Sequence, residues 1–93
     1  MISEKIRELR EQAGLSQSQL AKQLDVTRSS VNAWEMGLST PTTQYIVALS
    51  KLFHVSSDYI LGIASNRSIS LQGYTDEEIS LILNLLRYFD AKR

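Results

Sequence analysis

The sequence predicts an all-α fold: a bundle of five short helices with an appended C-terminal amphipathic helix. Three observations lead there. Apolar residues recur at intervals of three and four, the spacing that lines one face of an α-helix. Hydroxyl side chains stand before these segments and glycines after them, where helices start and stop. A run of small and polar residues without that period, ASNRSISLQG from Ala64 to Gly73, separates the last apolar segment from the rest. Residues 1–62 are therefore expected to form the bundle, 63–73 a linker and 74–93 the final helix.

Composition narrows the chemistry. A chain of 93 residues supports one modest core, and 43% hydrophobic with 22% charged residues is ordinary for a globular chain. The absence of cysteine excludes disulfides, thiolate catalysis and thiolate zinc sites, and one histidine builds no metal site alone. No apolar run approaches the roughly 20 residues that span a bilayer, and Met1-Ile2-Ser3-Glu4 does not open a signal peptide, so a cytoplasmic protein is expected. Ten basic and ten acidic residues cancel, six of each sign in residues 1–61 and four of each in 62–93. A nucleic-acid partner would then have to be held by a few well-placed cations, helix N-termini and neutral donors.

The first helix is expected to start with Ser3 as N-cap, run to about Gln12 with Ile6 and Leu9 inward, and stop at Gly14. Its charges alternate in sign, as on a solvated face. The stretch from Leu15 to Gly37 reads as two short helices joined by a tight turn. Leu20, Ala21 and Leu24 line the first and Val31 and Trp34 the second. Between them, Asp25 tolerates a left-handed backbone and Thr27 is placed to cap the next helix. Opposite Val31 and Trp34 lies a strip of polar and small residues, Arg28, Ser29, Asn32 and Ala33.

After the loop Leu38-Ser39-Thr40-Pro41, Thr42 is a candidate N-cap for a fourth helix, whose core face is Tyr45, Ile46, Leu49, Leu52 and Phe53. His54 follows as a strained helix end; no second ligand or nucleophile is arranged with it. Ser56 is expected to cap a fifth helix over residues 57–61, with Tyr59, Ile60 and Leu61 closing the bundle before Gly62. The last helix opens on a capping box of Thr75 and Glu78, with Tyr74 and Ile79 at the staple positions and Asp76, Glu77 and Glu78 in the first turn. Ile79, Ile82, Leu86 and Phe89 then recur at 3-4-3 spacing, flanked by Leu81, Leu83 and Leu85. So wide an apolar face must be covered, by its own bundle, by a second copy or by another protein. A homodimer through Ile79, Ile82, Leu83, Leu86 and Phe89 is the expected arrangement.

These residues also carry a resemblance. Leu15-Ser16-Gln17, Leu20-Ala21, Val26, Val31, Trp34-Glu35, Gly37 and Pro41 together resemble the helix-turn-helix of the phage repressor and Cro (XRE-like) family of bacterial transcription regulators, over residues 3–62. The resemblance implies a DNA-reading second motif helix, an ion pair between Arg10 and Glu35 that ties it to the scaffold, and a phosphate contact from Gln17. Three departures stand out: Asp25 replaces a common turn glycine, Met36 stands where asparagine is frequent, and Ala33 is short where many relatives carry a longer reader.

The chemistry of the strip fits double-stranded DNA. Arg28 matches guanine O6 and N7, Asn32 an adenine edge, Ser29 either, and Ala33 or the Thr27 methyl a thymine methyl. Ser16 and Gln17, with the free amides of the first motif helix, are placed for one phosphate backbone, and Ser39, Thr40 and Gln44 for the other. The expected function is a sequence-specific DNA-binding transcriptional regulator, a repressor acting as a homodimer on a palindromic operator. The second reading is an antitoxin or adaptor whose last helix binds another protein, such as a toxin or antagonist, with DNA binding for autoregulation. No catalytic constellation, metal site or cofactor site can be assembled from the sequence, so an enzyme is not expected.

Overall fold

The computed structural model describes residues 1–65 and 68–93; Asn66 and Arg67 of the expected linker lie outside the described residues. Among the described residues six helices follow in order: α1 (Ile2–Gln12), α2 (Gln17–Leu24), α3 (Arg28–Glu35), α4 (Thr43–Phe53), α5 (Ser57–Leu61) and α6 (Asp76–Ala91). The all-α expectation holds.

Local chemistry explains most of the boundaries. Ser16, Thr27, Ser56 and Thr75 are all N-caps whose hydroxyls accept a backbone N–H three residues on, which satisfies a donor the helix itself leaves free. At Ser16 and Thr75 the bond is returned, since Gln19 and Glu78 accept from the cap residue's own N–H. Asp25 and His54 end α2 and α4 in the left-handed region, at φ 57° and 55°. A Cβ is strained there, and asparagine, aspartate and histidine tolerate the conformation better than other side chains. The first boundary differs from expectation. α1 opens at Ile2, with Met1 as N-cap and no side-chain cap bond, so Ser3 lies inside the helix. Ile2 packs on the core, and the N–H of Lys5 bonds the carbonyl of Met1 at 3.1 Å, which draws the first turn forward of Ser3.

One core joins α1 to α5. Ile6, Leu9, Leu20, Ala21, Val31, Trp34, Ile46, Leu49, Val55 and Ile60 are buried in it, with Tyr45, Leu52, Phe53 and Tyr59 packed around them. The Trp34 and Tyr45 rings meet at 5.6 Å between centroids, joining α3 to α4. Leu61, expected to help close the bundle, is instead exposed, because a five-residue helix turns only one full face inward and Ile60 occupies it. Val55, outside any helix, takes a core place.

Among the described residues, the chain beyond α5 is tied back at His54. The N–H of Ser70 donates to the carbonyl of His54 at 3.1 Å, and the Tyr74 hydroxyl lies 2.8 Å from His54 Nε2. α6 itself contributes no buried residue. Leu81, Leu83, Leu85, Leu86, Tyr88 and Phe89 are all exposed.

Candidate nucleic-acid interface

The exposed strip predicted from the sequence lies on a helix packed against two others. α3 packs against both α1 and α2, burying Val31 and Trp34. Their opposite face is left to Arg28, Ser29 and Asn32, all exposed. Arg28 makes no ion pair among the described residues. Ala33 is half-buried, and its carbonyl accepts the N–H groups of Leu38 and Ser39 where the chain turns away through Gly37. Thr27 is exposed, but its hydroxyl is engaged with the N–H and Oγ of Ser30, which leaves its methyl as the unbonded part of the side chain.

The scaffold beneath this strip is a charge-assisted network. Arg10 donates from Nε to Glu35 Oε2 at 2.6 Å and from Nη2 to Glu35 Oε1 at 3.0 Å, a bidentate pair between α1 and the last residue of α3. Its third donor, Nη1, reaches the carbonyl of Leu15 at 2.7 Å and so fixes the residue before the α2 cap. The Arg10 and Glu35 side chains are 13% and 4% exposed, and with the guanidinium saturated on three sides the pair meets the condition under which buried charges are tolerated. The hydrogen bonds to Glu35 raise the Arg10 pKa above its ordinary value, against desolvation, so the residue stays charged.

Gln17 completes the network. Its Nε2 donates to Glu35 Oε1 at 3.2 Å and to Asn32 Oδ1 at 3.3 Å. The side-chain nitrogen expected to reach a phosphate is thus turned toward α3 in the unbound chain, while the backbone N–H groups of Gln17 and Ser18, first and second in α2, have no intrahelical acceptor. The Gln17 bond uses one lone pair of Asn32 Oδ1 and leaves the Asn32 amide nitrogen and the other lone pair outside the network. On the other side of α3, Ser39 and Thr40 are exposed in the loop, and Gln44 is exposed in the first turn of α4. Thr42 precedes that helix without a side-chain cap bond. The Gln17 bridge is what sequence reading missed. Its signal was the Ser16 cap, which fixes Gln17 at the first position of α2, but the direction of its side chain depends on how α2 crosses α3.

A helix-turn-helix family model matches residues 6–60 of the chain, well over half of it. The chain belongs to the helix-turn-helix family. Among curated relatives, the HTH-type transcriptional regulator DicA of Escherichia coli (strain K12) is 42% identical over 60 residues, 64% of this chain and 44% of DicA. This helix-turn-helix chain spans from 29% to 60% of the length of the curated relatives it matches. Among solved structures, the P22 c2 repressor in complex with a synthetic operator is 30% identical, with TM-score 0.65 over 69% of this chain and 97% of that one. A transcriptional regulator from Listeria innocua shares the fold over 98% of this chain and 94% of its own, with TM-score 0.66 and 23% identity. These relatives are a repressor and transcriptional regulators.

Proposed function

We propose that this helix-turn-helix chain is a sequence-specific double-stranded DNA-binding regulator, a repressor that acts as a homodimer on a palindromic operator in the cytoplasm. One observation supports the reading above others: Arg28, Ser29 and Asn32 stand exposed on a helix whose far end is locked to α1 and α2 through Glu35, so the backbone that carries the groove-facing side chains starts from a fixed position. Readers held rigidly lose little freedom on binding. The 30% identity to a repressor solved with its operator supports the same choice.

In this reading Arg28 contacts a guanine, Asn32 an adenine, Ser29 either, and Ala33 and the Thr27 methyl a thymine methyl. Ser16, Gln17 and the α2 amides hold one phosphate backbone, and Ser39, Thr40 and Gln44 the other. The zero net charge makes a single copy a weak binder, and doubling it through α6 compensates. No helix among the described residues is long and apolar enough to cross a membrane. Selection of bound DNA from a random pool tests the proposal: a palindromic consensus supports it, and a pool that returns no consensus overturns it.

A further inference from the structure

We propose that two copies of the chain pair through α6 in antiparallel orientation, with the two-fold axis at the level of Asn84. The proposal rests on the reading of the chain as a homodimer and adds its geometry.

The first ground is the register of the apolar seam. Ile79, Ile82, Leu86 and Phe89 follow one another at intervals of three, four and three, a pattern that reads the same in either direction. A second helix laid antiparallel on the seam therefore sets Ile79 against Phe89 and Ile82 against Leu86, so that a large side chain meets a smaller one at the outer levels. A parallel helix sets Phe89 against Phe89 and leaves Ile79 against Ile79, an uneven fill. Leu83 and Leu85 lie on opposite flanks of the seam next to its midpoint. In the antiparallel arrangement each meets its own copy across the axis, which extends the apolar contact where the helices cross.

Charge is the second ground. Asp76, Glu77 and Glu78 occupy the first turn, whereas the other end carries Arg87, Lys92 and Arg93 with a single acid, Asp90. Antiparallel pairing brings the acidic end of each copy to the basic end of the other, and Glu78 falls on the same flank as Lys92 of the second copy. Parallel pairing would gather six acids at one end, and like charges brought together at an interface select against that orientation.

The arrangement also suits the task. α6 has 16 residues and so is about 24 Å long at 1.5 Å per residue. Antiparallel pairing starts the two chains toward their reading heads from opposite ends of that length, most of the roughly 34 Å between adjacent major-groove half-sites. Parallel helices would start both from one end.

The full chain lacks cysteine, so introduced thiols report without background. A Glu78→Cys chain is mixed with a Lys92→Cys chain and treated with a short bismaleimide. The expected product is the mixed 78–92 species, with self-linked species minor. Dominant 78–78 and 92–92 products overturn the antiparallel orientation while leaving a dimer. No linked product, with the unmodified chain sedimenting as a monomer, overturns the homodimer itself. Because Glu78→Cys also breaks the capping box, Leu85→Cys serves as a second variant: antiparallel pairing links it to itself, and parallel pairing places residue 85 away from its own copy and leaves it unlinked.

Discussion

Gln17 of α2 holds Asn32 of α3 through a single nitrogen that also bonds Glu35, at 3.3 and 3.2 Å. The bond couples the helix expected to grip phosphate to the helix expected to read bases, because a residue outside the strip sets the orientation of Asn32. Gln17→Ala removes the holder and leaves Asn32 in place. Selection with the variant is expected to show relaxed preference at the base pair that Asn32→Ala also relaxes, with other positions kept. A uniform loss across all sequences would instead assign Gln17 to phosphate alone.

Arg28 has the simplest expected signature. It is exposed on the first turn of α3, and no ion pair among the described residues competes for its guanidinium. Arg28→Ala should weaken binding to the selected site by about 1–3 kcal/mol and relax preference at one base pair. Titration by fluorescence anisotropy against the selected duplex and its single-base variants measures both. Unchanged affinity with unchanged base preference would remove α3 from the site.

The Arg10–Glu35 pair makes a different prediction, one of stability. Truncating either partner leaves the other charge desolvated, so Arg10→Ala and Glu35→Ala should each cost about 3–5 kcal/mol in urea unfolding. Replacing both together, Arg10→Met with Glu35→Leu, is expected to recover most of that loss, since no lone charge is left. DNA binding need not recover with it, because Gln17 loses the Glu35 acceptor and with it the geometry of Asn32.

What could be read in the sequence was what is local. The caps at Ser16, Thr27, Ser56 and Thr75, and the box that pairs Thr75 with Glu78, each lie within four consecutive residues, so residue type and spacing suffice. Helix faces followed from periodicity for the same reason. Ser3 misled because burial of Ile2 outweighs a cap worth about 1 kcal/mol. The Arg10 and Glu35 positions are 25 residues apart and were reached only through a resemblance, and the Gln17–Asn32 bond, 15 apart, was not reached at all. Contacts of that kind depend on how helices cross, which no single segment encodes.

Asp25 offers a prediction in the opposite direction. It ends α2 at φ 57° and ψ 46°, a conformation that strains a side chain and carries no steric cost for glycine. Its carboxylate makes no ion pair among the described residues to compensate. Asp25→Gly should therefore stabilise the chain by up to about 1 kcal/mol, seen as a rise of about 4–8 °C in thermal midpoint for a domain of this size. A fall would mean that the carboxylate contributes to stability through its charge.

The exposed face of α6 sets the last expectation, which concerns association and not folding. Ile82 and Leu86 lie one turn apart at the centre of the seam, and no residue of α6 is buried. Placing aspartate at both positions leaves the core of α1 to α5 untouched, since among the described residues none of its buried members lies beyond Ile60. Ile82→Asp with Leu86→Asp should retain the helical circular dichroism and urea midpoint of the bundle while sedimentation shifts from dimer to monomer. Binding to a full palindrome should fall much further than binding to a half-site, because only the former depends on two heads acting together. An unmodified chain that is already monomeric, and that sediments unchanged after the substitutions, would take α6 out of self-association and leave its apolar face to another protein.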